Sequence, residues 1–225
     1  MNEVEVFEII INSILVIQEK KKKPIRIAIN GIEGTGKTVF AKKLVQFLNT
    51  QNLNAHQVSI DGFHFNKKYR YKQGGNSAKG YYEDSYDEKM FVEKVLKSSQ
   101  SEIPSYIEAS HDLETDNYLD LKPIEIENDS ILITDGAYLF KPIYEKYWDL
   151  KIYIKTSFEV ALQRGIARDK INLGGFDLTK EKYKNRYHKA SKIYQKEIKP
   201  EQIANIIIDN SDFNNLIIIK NSLTC

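Results

Sequence analysis

Eight consecutive residues, Gly31-Ile32-Glu33-Gly34-Thr35-Gly36-Lys37-Thr38, set glycines, a lysine and a hydroxyl at the spacing G-x-x-x-x-G-K-[ST]. That pattern suits one kind of chemistry, the cradling of a polyphosphate. Glycines let successive backbone N–H groups curl inward where a Cβ would block the approach. Lys37, read here as a solvent-facing point charge, reaches the β- and γ-phosphates, and the Thr38 hydroxyl ligates Mg²⁺. The loop therefore predicts a nucleoside-triphosphate site contacted by Gly31, Glu33, Gly34, Thr35, Gly36, Lys37 and Thr38. Two acids complete the set. Asp135 ends the apolar run Ile131-Leu132-Ile133-Thr134 and is the expected metal position beside Thr38. Asp61 follows Ser59-Ile60 and is placed to take a proton from an acceptor hydroxyl. Read alone, Asp135 could equally be a strand-ending turn, since Asp-Gly is a common turn pair, and Asp61 a helix cap.

Such residues need strands that stop where the chemistry starts. Ile25 to Ile29 forms an apolar strand directly before the loop, and the segment from Lys37 to Asn49 continues as a helix with Phe40, Leu44, Phe47 and Leu48 inward. Short strands are expected at His56–Ile60, Ile131–Thr134, Leu150–Ile154 and Ala204–Ile208. Helices are expected over residues 2 to 18 (Val4, Phe7, Ile10, Ile11, Ile14 and Ile17 inward), around Met90–Leu96, over Phe158–Lys170 and over Glu181–Ile198. Alternating strands and helices predict an α/β fold of the P-loop NTPase type, a mostly parallel sheet covered by helices on both faces. In such sheets ligands bind at the carboxyl ends of the strands, where both acids fall. Residues 1–225 are expected to form one domain. Residues 1–22 read as an N-terminal helix and a solvated basic connection, 64–82 as a surface excursion on the acceptor side, and about 164–186 as a small lid.

Composition excludes several classes. With 33 basic and 31 acidic residues, the net charge of +2 gives no reason to expect a nucleic-acid or membrane partner. The one cysteine, Cys225, rules out an intrachain disulfide and favours a reducing, cytoplasmic location. Self-association is left open. A guanine-specific switch would want Asn-Lys-x-Asp, and the nearest string, Asn66-Lys67-Lys68-Tyr69, lacks the acid. A nucleotide sensor without transfer activity is the reading from a different class.

The succession GIEGTGKT, SIDGFH, Asp84-Ser85-Tyr86-Asp87, Ile103-Pro104-Ser105-Tyr106 with His111, and ITDG resembles the uridine kinase family, within the phosphoribulokinase-type kinases of small metabolites. The resemblance runs from about residue 25 to 210. It implies a Mg²⁺-dependent kinase that uses ATP or GTP to phosphorylate the 5′-hydroxyl of a pyrimidine ribonucleoside. By position it assigns Asp61, with His64 beside it, to the acceptor hydroxyl, Asp84 to the ribose hydroxyls, Tyr106 and His111 to the base, Arg168 to the lid and Arg164 to the nucleotide. Taken alone, Asp84 could cap a helix, Tyr106 fill a core strand, His111 sit in a surface loop and Arg164 lie on a helix surface. The family lid carries several arginines; here Asn172-Leu173-Gly174-Gly175 occupies part of that stretch, leaving Arg164, Arg168 and Arg186. The runner-up keeps the kinase and changes the acceptor to another ribosyl compound, pantothenate or a sugar; Tyr69, Arg70, Tyr71, Lys72, Tyr81 and Tyr82 could build a pocket for something larger or anionic.

Overall fold

The computed structural model describes residues 1–223, so Cys225 lies outside the described residues. The chain opens with α1 (Glu3–Lys20), capped by reciprocal bonds between Asn2 and Glu5. Then come β1 (Ile25–Asn30), α2 (Lys37–Thr50) and β2 (Ala55–Ser59), which ends in a 3₁₀ turn, Ile60–Phe63. Two short helices, α3 (Lys67–Arg70) and α4 (Ala78–Asp84), precede α5 (Glu88–Phe91), which runs on as a π turn over Val92–Lys97. A two-residue pairing joins β3 (Ser105–Tyr106) to β4 (Ile124–Glu125). β5 (Ile131–Gly136), β6 (Leu150–Lys155) and α6 (Phe158–Asp169) follow. Next are α7 (Phe176–Lys182), a π turn at Tyr183–Tyr187, α8 (His188–Ile198), α9 (Pro200–Ile203), β7 (Ile206–Asp209) and β8 (Ile217–Asn221).

The sheet runs β2-β5-β1-β6-β7-β8, parallel except for the antiparallel edge strand β8. Its two faces follow the period of two. Ile25, Ile27, Ile29, Ile131, Ile133, Ile152 and Ile206 face α1 and α2, while Ala28, Leu132, Tyr153 and Ile207 face the other layer with Phe63, Phe91, Tyr138 and Tyr194. Because both faces are covered, β1 is buried along its whole length. Among the described residues no helix is long and apolar enough to cross a membrane.

Several local expectations change. In α1 it is Val6 that is buried, with Val4 exposed. Lys21 of the basic connection is not simply solvated; it pairs with Asp149, which also holds Arg26. The excursion 64–82 is not wholly surface: it folds into α3 and α4, and Tyr82 joins the core, its ring 5.2 Å from that of Tyr138 and under the Lys141 ammonium. Met90 stands at the surface of α5. The helix expected over 181–198 starts earlier, at Phe176, and is interrupted by the π turn. β8 and the small β3–β4 ribbon were not anticipated; the run Leu216–Ile219 was the available signal for the former.

Candidate active site

The phosphate-binding loop fills the gap between β1 and α2. Gly34 and Gly36 have φ of 91° and 88°, a region L side chains rarely adopt, and a Cβ on Gly34 would lie 2.2 Å from the Ala161 carbonyl oxygen. α2 starts immediately afterwards, so the amides of its first turn have no intrahelical acceptor and point at the loop. Lys37 is not the solvent-facing charge read from the sequence. Only 7% of it is exposed; its ammonium donates to the Ile32 carbonyl at 3.0 Å and stands 3.8 Å from the Glu33 carboxylate. The loop folds back over its lysine, which holds the charge inward and desolvated.

Parallel pairing of β1 with β5 sets Asp135 opposite Ile29, two residues before the loop begins at Gly31. The Thr38 hydroxyl donates to Asp135 at 2.6 Å, and Gln57 donates to the other carboxylate oxygen at 2.8 Å. Asp135 is fully buried and makes no ion pair among the described residues. Hydroxyl and carboxylate oxygens with spare capacity suit a hard divalent cation whose other ligands are phosphate oxygens and water. The residues at this point therefore fit Mg²⁺.

Asp61 projects from the 3₁₀ turn at the end of β2, the strand beside β5. Tyr86 donates to it at 3.0 Å, and His64 lies 3.8 Å away. The Asp61 side chain is 55% open, but it opens into a walled cleft rather than to bulk water. Burial in that cleft, then the negative charges of Glu33 and Asp135 against the opposing pull of Lys37, raises its pKa to about 6. His64 is enclosed and stacked on Tyr86. Burial lowers its pKa to about 3, so it is neutral near pH 7. Its Nδ1 lies 2.8 Å from the Ser85 carbonyl, an acceptor, so Nδ1 carries the proton and Nε2 faces Asp61 as an acceptor.

The cleft has a volume of about 170 Å³ and brings Glu33, Asp61, His64 and Arg168 together. Arg70, Tyr71, Tyr81, Ser85, Leu113, Asp169, Tyr183, Arg186 and Tyr187 supply the rest of its wall; of the residues offered for a larger or anionic acceptor, Arg70, Tyr71 and Tyr81 line it, while Tyr69, Lys72 and Tyr82 do not. Tyr81 donates to Glu33 at 3.0 Å, turning this loop residue toward the acceptor side. The π turn presents Tyr183, Arg186 and Tyr187 at i, i+3 and i+4, a spacing that was the available signal. Arg168 forms a forked pair with Asp169 at 2.7 and 3.0 Å and also donates to Tyr183.

Other assigned residues lie elsewhere. Arg164 sits on the outer side of the loop, donating to the carbonyls of Asn210 and Ser211 and stacked on Phe213, while Asn210 donates to the Thr35 carbonyl. Asp84 is buried with both oxygens occupied, by Lys72 at 2.8 Å and Gln73 at 2.7 Å. Tyr106 is a core residue behind β2, its ring facing His56, and does not line the cleft: the short β3–β4 ribbon turns it inward. The His111 ring is enclosed 3.2 Å from Asp116, although its backbone amide bonds the Gly62 carbonyl next to Asp61.

A parallel sheet with a phosphate-binding loop after β1 and acids at the ends of β2 and β5 defines a P-loop kinase. The chain belongs to the phosphoribulokinase / uridine kinase family, which matches residues 26–216. A uridine kinase of Ureaplasma parvum serovar 3 is 26% identical over 152 residues, 66% of this chain and 70% of that protein. One from Leuconostoc citreum is 27% identical over 154 residues, 65% and 69%. Among solved structures, a possible uridine kinase from Bacillus stearothermophilus superposes with a TM-score of 0.64 at 18% identity, covering 88% of this chain and 98% of that one. D-glycerate 3-kinase from Cryptococcus neoformans gives 0.59 at 9% identity, covering 95% and 99%. These structural likenesses show the fold. The family makes the chain a phosphotransferase with a hydroxyl acceptor and a nucleotide donor.

Proposed function

We propose that the chain transfers the γ-phosphoryl group of ATP or GTP, bound with Mg²⁺, to a hydroxyl of a small polyhydroxylated metabolite, with Asp61 as the base. The observation that carries this reading is Asp61 itself, a carboxylate with its pKa raised to about 6 at the carboxyl end of β2, in a cleft shared with the loop residue Glu33. The acceptor O–H gives its proton to Asp61 as its oxygen bonds to phosphorus, and the bond from phosphorus to the β-phosphate oxygen breaks. Lys37 neutralises charge on the transferring group, and Arg168 closes on it once freed from Asp169. Thr38 and Asp135 would hold Mg²⁺, which would supply charge neutralisation on the phosphates. The chain acts as one domain, with residues 64–82 and about 164–186 walling the acceptor.

A pyrimidine ribonucleoside is the second reading, favoured by the name of the Ureaplasma and Leuconostoc relatives. The wider acceptor class is preferred because Tyr106 packs in the core and Asp84 is already satisfied by Lys72 and Gln73. The test is ADP release from Mg-ATP with a panel of nucleosides, sugars and hydroxy acids, for the wild type and Asp61→Asn. Acceptor-dependent release that falls about a hundredfold or more in the variant is expected. Release that no acceptor stimulates and the variant does not alter would instead indicate a nucleotide sensor.

A further inference from the structure

Pairing off the charges around the cleft leaves two unmatched. Glu33 faces Lys37, Asp169 is forked to Arg168, and Arg70 meets Asp116 at 3.3 Å. Asp61 has only Tyr86 and His64, and Arg186 has no carboxylate within ion-pair distance among the described residues. Arg186 is 2% exposed, so its charge is shielded by protein alone. Its guanidinium donates to the carbonyls of Arg70, Gly74, Gly75 and Ser77, and the rings of Tyr71 and Tyr81 lie 4.5 and 5.1 Å from it. Carbonyls and ring faces solvate a cation without neutralising it, and a buried, uncompensated charge is costly. The Nε–H groups of both Arg186 and Arg70 are buried without a partner. Both arginines line the same cleft as Asp61 and His64, near enough to His64 to help lower its pKa.

We infer that the acceptor is an anionic polyol: a small compound whose hydroxyls meet Asp61 and the His64 Nε2 and whose carboxylate or phosphate group is the missing counter-ion of Arg186, with the unpartnered Nε–H of Arg70 as a second donor to it. The inference rests on reading this cleft as the acceptor site. Two acceptor atoms 3.8 Å apart suit hydroxyl donors. Arginine N–H donors on the same wall suit the planar or tetrahedral oxygens of an anion. A neutral nucleoside would leave Arg186 unmatched and a buried charge without its partner.

The experiment uses twins that differ only in charge: glycerate against glycerol, and ribose 5-phosphate against ribose, with uridine as a neutral control. Each is measured for kcat/KM with Mg-ATP, and for binding to the Mg-ADP-loaded protein by calorimetry, which reads the site even where a twin is not turned over. In at least one pair the charged twin should be favoured about tenfold or more in turnover or binding. Success with glycerate alone assigns a carboxylate, and with ribose 5-phosphate alone a phosphate. Arg70→Met and Arg186→Met should each cut that preference to about threefold or less, and Arg70→Met decides the matter if Arg186→Met, which also releases residues 70–77, does not fold. Equal handling of the twins in both measurements, or a charge preference untouched in the folded variants, overturns the inference. Asp61-dependent turnover of neutral acceptors alone would overturn it while leaving the kinase intact. Absence of any Asp61-dependent transfer would remove the kinase reading itself.

Discussion

Replacing Glu33 with glutamine removes the negative charge that most raises the Asp61 pKa after burial. The acidic limb of kcat/KM should therefore move to lower pH. In the wild type a base with a pKa of about 6 is ionised in only about one molecule in eleven at pH 5, so the rate there should be roughly a tenth of its plateau. An aspartate at its ordinary value of 3.8 would lose only about 6% at the same pH. Glu33→Gln should fall between these limits, because burial still acts on Asp61 after the charge is gone. Tyr86→Phe should shift the limb the other way, since it removes a donor to the ionised form. The assay is kcat/KM from pH 4.5 to 8.5 under saturating Mg-ATP. The donor γ-phosphate titrates in this range too, but it does so equally in every variant, so the differences between variants carry the test. Superimposable limbs for wild type, Glu33→Gln and Tyr86→Phe would refute the assignment of Asp61 as base. A stability measurement adds an independent check. Because the folded pKa lies above the unfolded one, the folded state holds the proton longer, and stability is lost as pH rises from about 4 through about 6. Asp61→Asn should therefore melt above the wild type at pH 8 and level with it near pH 4. The full shift would correspond to about 3 kcal/mol; the half-open side chain reduces this to about 1 kcal/mol, or about 2–4 °C.

Lys37→Ala should leave a folded protein with kcat lowered by about two to three orders of magnitude, since a buried charge aimed at the phosphates is lost; near-normal turnover would remove the loop assignment. Asp135→Asn should raise the Mg²⁺ concentration needed for half-maximal rate about tenfold while metal-free nucleotide binds as before, and an unchanged Mg²⁺ titration would make Asp135 structural. Gly165→Ala would set a Cβ 2.2 Å from the Tyr183 ring, displacing the hydroxyl that donates to Asp169 at 2.7 Å and accepts from Arg168. Stability should drop by about 1–3 kcal/mol and kcat should fall more than acceptor KM rises; a stability loss with unchanged kcat would separate Tyr183 from the lid.

The amino-acid sequence by itself determined the parts that depend on near neighbours. The phosphate loop is eight consecutive residues whose glycines answer a local demand of the backbone, and the buried strands show themselves as short runs such as Ile25–Ile29 and Ile131–Thr134. The strand-end positions of Asp61 and Asp135 were legible because identifying each strand in a parallel sheet places the acid at its carboxyl end. Tyr106, Asp84 and His111 carried family motif positions, but whether a side chain reaches a cleft depends on what packs around it, and the β3–β4 ribbon, Lys72 with Gln73, and Asp116 respectively took them up. The inward turn of Lys37, the neutrality of His64 and the isolation of Arg186 were likewise decided only in three dimensions. Each is a balance of lost water against partners far away in the chain. Arg186 meets the backbone at residues 70 to 77, more than a hundred positions earlier, and His64 is sealed by Ser85 and Tyr86. Residue types state which charges exist; desolvation, which the whole fold sets, states which of them are left without a partner for a substrate to meet.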